Sequence, residues 1–245
     1  QWVHGVDVPM IALSLGAAGE APQAAADFVK KCRFFSVRDE YSYAAIGGLR
    51  KDIEIIMDPI LLDAVDNSFT SCCRIKPNEP SGITWVPGKL LPKTRSQWAA
   101  VMSSQFIKNR DQLFSFNPIT DMASGFSETF HSITYLNEID PFLRGIVDSR
   151  FVVSERYHAA IYAIATGIPV VGVGFRSQVV YSKIFELLKR IGHPELMLFD
   201  PQDMTRAKMR RLSEGMDAEV VRSLLLNERQ QLVSYLKRSI TTVLS

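Results

Sequence analysis

Short apolar segments alternate with longer helical segments along nearly the whole chain. The apolar segments predict strands at 8–16, 33–37, 53–59, 82–88, 112–118, 150–154, 169–175 and 195–200. Alanine-rich or amphipathic segments predict helices at 21–32, 39–48, 94–109, near 127–136, 157–166, 179–192, 203–214 and 217–243. Repeated strand–helix–strand units connect parallel strands by right-handed crossovers. The pattern therefore predicts an α/β fold built on parallel sheets.

The alternation falls into two series that a polar segment separates. Residues 63–81 contain Pro77 and Pro80 and predict a linker, with three strands before it and about five after it. We expect a partial N-terminal domain over 1–70, either truncated or unusually small, and a complete domain over 71–215. Residues 216–245 are expected to form a helix that packs back across the domains.

The composition excludes several classes of protein. The chain has 28 basic and 26 acidic residues, a net charge of +2, and lacks the basic excess of a nucleic-acid-binding protein. No apolar run reaches the roughly 18 residues that a membrane-spanning helix needs. Cys32, Cys72 and Cys73 show neither a disulfide framework nor the spacing of a metal site, which favours a reducing, cytoplasmic location.

Two strand–helix turns resemble each other. Each has an apolar strand, a serine, an arginine and then an alanine-rich helix, in FFSVRDEYSYAAIGG at 34–48 and FVVSERYHAAIYAIATG at 151–167. Open parallel sheets bind ligands beyond the carboxyl ends of their strands, so we expect both turns to face a cleft between the domains. In the second turn Ser154 is predicted to cap the helix and Glu155 suits its first turn, whereas Arg156 opposes the helix dipole.

A bound anion would explain a cation at the start of a helix. Arg156, His158 and the backbone N–H groups of the first helical turn together suit a phosphate or carboxylate, and Arg38 is expected to converge on the same anion. The alternative is that Arg156 pairs with a buried acid and His158 is a core histidine. Structural ion pairs are common enough that the pattern alone leaves both interpretations open.

These segments resemble the polysaccharide pyruvyl transferase family. That family has an Arg-x-His motif on this helix, an earlier vRDe.S block, an Asp-Pro pair after the next strand, and a lysine after the last strand. The chain matches this order and spacing over residues 8–200, with Asp58–Pro59 as the pair and Lys183 as the lysine. The family's Gly/Asn/Asp-rich first turn, on the acceptor side of the site, has no counterpart in this sequence.

The resemblance implies a fold of two doubly wound, Rossmann-like parallel-sheet domains facing a cleft, a glycosyltransferase-B-like architecture. It implies transfer of a pyruvyl group from phosphoenolpyruvate to a saccharide, as a ketal, in cell-surface polysaccharide biosynthesis. His158 is the expected proton-transfer residue, with Asp39 or Glu155 as the complementary carboxylate. The implied donor-binding residues are Arg156, Arg38, Lys183 and Ser154. Candidates for the acceptor side or the cleft are Asp58, Asp121 and Arg176.

Each of these last three residues has an alternative interpretation. Asp58 also suits a turn before Pro59, Asp121 a solvated loop, and Arg176 an exposed strand end. No metal is expected, and no cofactor apart from phosphoenolpyruvate as co-substrate. The saccharide acceptor is expected to be free or lipid-linked, and a lipid-linked acceptor would bring the protein to the inner membrane face. A Gly-x-Pro-Val-Val segment also occurs in nucleotide-sugar glycosyltransferases, so such an enzyme is the main alternative, beside a non-catalytic saccharide- or anion-binding relative.

Overall fold

The computed structural model describes about two thirds of the chain and divides it into two units. The described residues are 9–16, 23–64, 82–86, 97–98, 100–101, 112–115, 132–135, 139–174 and 183–244. The first unit comprises residues 1–63 and 225–245, and the second comprises residues 64–224. The boundaries that we predict near residues 70 and 215 stay a prediction.

The first unit is built on a three-stranded parallel sheet in the order β1-β2-β3. Its elements are β1 (Met10–Leu15), α1 (Gln23–Lys31), β2 (Cys32–Val37), α2 (Glu40–Ile46), β3 (Glu54–Ile55) and α3 (Ile60–Ala64). Ala12 pairs with Phe35, and Val37 pairs with Ile55. These strands and the buried faces of α1 and α2 form one apolar cluster that includes Val29 and Ile46.

A long C-terminal helix completes the first unit. This helix, numbered α8, runs over Ala218–Leu244 and belongs to the first unit from Leu225 onward. The Tyr235 hydroxyl donates to the Ala12 carbonyl at 3.2 Å, and Arg238 contacts the Glu54 carboxylate at 2.8 Å. Burial raises the pKa of the Tyr235 phenol above its ordinary value. The helix is therefore fixed to both β1 and β3.

The second unit is built on a six-stranded parallel sheet in the order β6-β5-β4-β7-β8-β9. Its strands are β4 (Gly82–Val86), β5 (Gln112–Ser115), β6 (Ser132–Tyr135), β7 (Ser149–Ser154), β8 (Val170–Val173) and β9 (Met197–Leu198). Its described helices are α4 (Ile139–Val147), α5 (Tyr157–Ala165), α6 (Lys183–Arg190) and α7 (Arg206–Gly215). All five residues of β4 are buried, as expected for a parallel strand covered on both faces.

Numbered within the unit, this strand order is 3-2-1-4-5-6, the doubly wound order of dinucleotide-binding folds. All strands run parallel, but the order in which successive strands are added reverses between β4 and β7, which lie side by side with Val86 opposite Ser154. Two parallel-sheet α/β units confirm the predicted fold class. The predicted cleft between the domains stays a prediction.

One predicted helix is wrong. We expected a helix near 127–136, but residues 132–135 form strand β6, which pairs with all four residues of β5. The segment is Ser-Ile-Thr-Tyr, in which isoleucine, threonine and tyrosine are residue types that favour strands, and pairing with β5 satisfies the backbone groups that face β5. The described part of the second unit therefore has six strands where the sequence predicts about five.

Helix α5 is buried on all sides after its first turn. Every residue from Ala159 to Ala165 is buried, and the alanines allow close packing against β7 and β8. A helix that is apolar all round belongs in a protein interior. The prediction of a buried, alanine-rich helix is confirmed, and its first turn is the end that opens toward the sheet edge.

Candidate active site

The turn between β7 and α5 lies at the carboxyl edge of the second sheet. Ser154 is the last residue of β7 and lies opposite Val86 on one side and Gly172 on the other. The Glu155 N–H extends this pairing by donating to the Val86 carbonyl at 3.0 Å. The turn therefore stands at the point where the strand order reverses, which is where doubly wound sheets bind ligands. The prediction that Ser154–Arg156 lies at this edge is confirmed.

Ser154 shapes this turn but does not cap the helix as predicted. Its hydroxyl accepts from the Arg156 N–H at 2.9 Å and donates to the Arg156 carbonyl at 2.8 Å. Helix α5 begins at Tyr157, which makes Arg156 the N-cap residue and places Ser154 two residues too early. Because Ser154 is fully buried, its hydroxyl fixes the backbone of Arg156 from inside the fold.

Arg156 occupies the N-cap with extended backbone angles, φ −108° and ψ 124°. A capping side chain must accept a hydrogen bond, and a guanidinium carries donors alone, so Arg156 makes no side-chain cap. A cation is also unfavourable at the positive end of a helix dipole. An anion can accept both from the helix N–H groups and from a guanidinium, so the turn is suited to a phosphate or a carboxylate.

His158 is the second residue of α5, and its side chain is exposed. Its ring meets that of Tyr157 edge to face, with 5.8 Å between the centroids. The alternative of a core histidine is therefore wrong. An exposed imidazole at this edge has the chemistry to give a proton to a ligand or to take one from it.

Lys183 is the first residue of α6, and its side chain is exposed. Helix α6 follows β8 in the chain, so its first turn starts from the same edge of the sheet as the β7–α5 turn. Gly172 of β8 permits close packing here, because a Cβ at this position would lie 2.6 Å from Ile184 of α6. The structure thus places Lys183, His158 and Arg156 at the same edge of the second sheet, the edge at which its strands end.

The first unit brings three of the predicted residues together at the carboxyl edge of its own sheet. Arg38 follows β2, and its Nη1 donates to Asp58 Oδ2 at 3.3 Å, while its Nε lies 3.5 Å from Asp39 Oδ2. Asp39 caps α2 by accepting from the Ser42 N–H at 2.7 Å. Asp58 also accepts from the Ile60 N–H at 3.2 Å, so it both forms the predicted turn and contacts Arg38.

Two residues at the carboxyl end of the first strand, Ser14 and Gly16, were not singled out from the sequence. Gly16, which directly follows β1, lies under the Arg38 guanidinium, because a Cβ on it would stand 1.9 Å from Nη2. Ser14 has a positive φ of 52°, which is uncommon for a residue other than glycine. The glycine after an apolar strand was a visible signal for Gly16, whereas nothing in the sequence marks the conformation of Ser14.

Asp121 and Arg176 lie outside the described residues. Within the described part of the chain, no group of three histidine, cysteine, aspartate or glutamate side chains is arranged to hold a metal ion. No helix in that part has the length and hydropathy needed to cross a membrane.

The strand order and the turn at its reversal point are those of α/β proteins that bind ligands at the carboxyl ends of parallel strands. The sequence profile of the polysaccharide pyruvyl transferase family matches residues 2–177. The chain therefore belongs to the polysaccharide pyruvyl transferase family. No curated protein matches the chain.

Two solved structures are similar to the chain at low identity. An O-GlcNAc transferase mutant from Thermobaculum terrenum has a TM-score of 0.46 and 14% identity, covering 68% of this chain and 36% of its own. The wall teichoic acid polymerase TagF has a TM-score of 0.40 and 11% identity, covering 96% of this chain and 67% of its own. The chain thus spans about a third of the first protein's length, and neither similarity identifies a substrate.

Proposed function

We propose that the protein transfers a pyruvyl group from phosphoenolpyruvate to two hydroxyl groups of a saccharide, forming a ketal. The observation that carries the proposal is the β7–α5 turn, where Arg156 occupies the N-cap at the reversal point of the sheet. Membership of the polysaccharide pyruvyl transferase family supports the same reaction class.

Phosphoenolpyruvate carries a carboxylate and a phosphate, so its site needs several cations and N–H donors. Arg156 and the first turn of α5 supply one such set, and the exposed ammonium of Lys183 supplies a further charge. Ser154 contributes by holding the Arg156 backbone. We assign Arg38 as an additional donor-binding cation.

Ketal formation requires two proton transfers that the residues of this chain can perform. A proton adds to C3 of phosphoenolpyruvate, and a saccharide oxygen bonds to C2. The bond from C2 to the phosphate oxygen then breaks, phosphate leaves with the bonding electrons, and a second hydroxyl oxygen bonds to C2. Of the two hydroxyl protons released, one balances the proton added to C3 and the other leaves with phosphate. His158 is proposed to give and take these protons.

A carboxylate is needed as the partner of His158. Asp39 has its two oxygens directed at the Ser42 N–H and at Arg38. Glu155 stands in the same turn as His158, three residues earlier. We therefore propose Glu155 for this role and keep Asp39 as the second choice. Acceptor contacts by Asp58, Asp121 and Arg176 belong to the same proposal.

A thermal unfolding assay tests the donor assignment. Phosphoenolpyruvate at a hundredfold excess over its Kd should stabilise the wild-type protein by about 2.7 kcal/mol, which raises Tm by about 5–11 °C. At the same concentration of phosphoenolpyruvate, Arg156→Ala should reduce this rise to about half or less. Arg150→Ala is the matched control, because Arg150 is an exposed arginine at the opposite end of the same strand. A wild-type protein that phosphoenolpyruvate does not stabilise would refute the proposal.

A nucleotide-sugar glycosyltransferase is the second candidate, because the 3-2-1-4-5-6 strand order is also that of nucleotide-binding sheets. In that case a nucleoside diphosphate, and not phosphoenolpyruvate, should raise Tm. Stabilisation by phosphoenolpyruvate without phosphate release in the presence of saccharides would indicate a non-catalytic binding protein. We further propose that the acceptor is a precursor of a cell-surface polysaccharide, used in the cytoplasm and either free or lipid-linked.

A further inference from the structure

We propose that Asp58 is a positioning residue that sets the orientation of the Arg38 guanidinium for the donor. The proposal rests on the proposed function, because it takes Arg38 as a donor-binding cation. It concerns a residue that contacts Arg38 and not the donor itself. The evidence is the set of contacts that surrounds the guanidinium at the edge of the first sheet.

Each nitrogen of the Arg38 guanidinium faces a different neighbour. Nη1 donates to Asp58 Oδ2 at 3.3 Å, and Nε lies 3.5 Å from Asp39 Oδ2. Nη2 is the nearest atom to the position that a Cβ on Gly16 would occupy. The three side chains of the ion-pair cluster are only 10–15% exposed, so the surroundings leave the guanidinium little freedom to rotate.

Asp58 divides its two oxygens between the backbone and Arg38. Oδ1 accepts from the Ile60 N–H at 3.2 Å at the start of α3, and Oδ2 accepts from Arg38. An asparagine has one oxygen and one NH2 group, so it can accept from Ile60 or from Arg38 but not from both. If the asparagine oxygen keeps the backbone contact, the asparagine NH2 group faces the guanidinium. Both groups are hydrogen-bond donors, so no hydrogen bond forms between them. Asp58→Asn therefore retains the turn and loses the orientation of Arg38.

The strained end of β1 holds Asp58 and Gly16 in this arrangement. Ser14 has φ 52°, its N–H donates to Ser36 Oγ at 2.9 Å, and its hydroxyl donates to the Met57 carbonyl at 2.9 Å. These bonds connect the ends of all three strands next to Gly16, Arg38 and Asp58. Backbone strain of this kind persists where the surrounding contacts fix the conformation.

The test measures the Kd of phosphoenolpyruvate by calorimetry for single and double variants. Asp58→Asn should raise Kd about tenfold, the size expected for loss of one hydrogen bond to a charged group. In an Arg38→Ala background the same substitution should have no further effect. Asp52→Asn is the matched control, because Asp52, which precedes β3, also forms an ion pair with an arginine, Arg50. The Kd of phosphoenolpyruvate for Asp52→Asn should equal the wild-type value.

Gly16→Ala tests the same orientation from the other side of the guanidinium. The added methyl group displaces Nη2 without removing any charge, so Kd should rise in the wild-type background and stay unchanged in the Arg38→Ala background. All single variants should unfold within a few degrees of the wild-type protein, which separates loss of orientation from loss of fold. A wild-type Kd in Asp58→Asn would overturn the proposal, as would a further rise in the double variant.

A measurement without ligand separates this proposal from the proposed function. The Nε–Hε resonance of Arg38, identified by its loss in Arg38→Ala, should shift or broaden in Asp58→Asn and stay unchanged in Asp52→Asn. If the chemical shift and line width of that resonance are unchanged in Asp58→Asn, the positioning proposal fails. If it responds while Arg38→Ala leaves the Kd of phosphoenolpyruvate unchanged, the donor assignment of Arg38 fails instead.

Discussion

Ser154→Ala is the substitution that most directly tests the β7–α5 turn. It removes an acceptor for the Arg156 N–H and a donor to the Arg156 carbonyl, in a fully buried position. The carbonyl keeps its bond from the Ala160 N–H at 3.1 Å, so one of the two backbone groups retains a partner. The expected loss of stability is about 1–2 kcal/mol, in the lower half of the cost of unpairing buried groups. Tm should fall by about 2–8 °C.

The same substitution should weaken donor binding by a smaller factor than removal of Arg156. Loss of a charge-assisted hydrogen bond in Arg156→Ala should raise the Kd of phosphoenolpyruvate by about 10–150-fold. Ser154→Ala keeps the guanidinium but removes the hydrogen bonds that hold the Arg156 backbone. We therefore expect Kd to rise by about 3–10-fold, which corresponds to a smaller loss of binding free energy than in Arg156→Ala. Calorimetry gives both Kd values, and circular dichroism gives both Tm values.

Ser149→Ala provides the control for this experiment. Ser149 is a buried serine at the opposite end of β7, and its hydroxyl contacts the Gly145 carbonyl at 2.6 Å. Its removal should cost similar stability, about 1–2 kcal/mol, and leave the Kd unchanged. If Ser154→Ala and Ser149→Ala both lose stability and both keep the wild-type Kd, the turn is not the donor site.

The remaining predictions concern proton transfer, donor charge and the C-terminal helix. His158→Ala should lower kcat by about 10²–10⁴-fold. His193→Ala should leave kcat unchanged, because His193 lies 2.9 Å from a glutamate before β9. A near-normal kcat with a raised KM in His158→Gln would show that His158 only binds the anion. Lys183→Ala should mainly raise KM, and Lys189→Ala at the far end of α6 should not; a large fall in kcat alone would contradict a binding role. Burial raises the pKa of Tyr235. The contribution of Tyr235 to stability is therefore complete below the unfolded pKa of about 10 and is lost as pH rises toward the folded pKa. Tyr235→Phe should flatten this alkaline decline in the free energy of unfolding, measured by denaturant titration, and an unchanged decline would contradict the prediction.

Parts of the candidate site could be predicted because they conflict with local rules. A cation at the start of an alanine-rich helix is unfavourable by itself, and this conflict predicts that Arg156 and His158 face a ligand. The structure places both at the sheet edge that the prediction requires. The role of Ser154 was predicted incorrectly because the cap position depends on where the helix begins, which sequence periodicity locates only to within a few residues.

Other features needed the assembled structure. Arg38 meets Asp58 twenty residues later and Gly16 twenty-two residues earlier, through the parallel pairing of three strands. Strand β6 was predicted as a helix because a four-residue segment has too few residues to establish a period, and its pairing with β5 decided its conformation.

The sequence alone determined that the chain forms parallel α/β units, because periodicity and length report which face of each segment is buried. It also determined which residue types follow each strand. Tertiary structure decided that β4 lies beside β7, because several strand orders would bury the same apolar faces and local sequence does not distinguish them. That choice puts the Arg156 turn at the reversal point of the sheet, where ligands bind. The orientation of Arg38 was likewise decided in three dimensions, since its partners come from strand ends that only the folded sheet brings together.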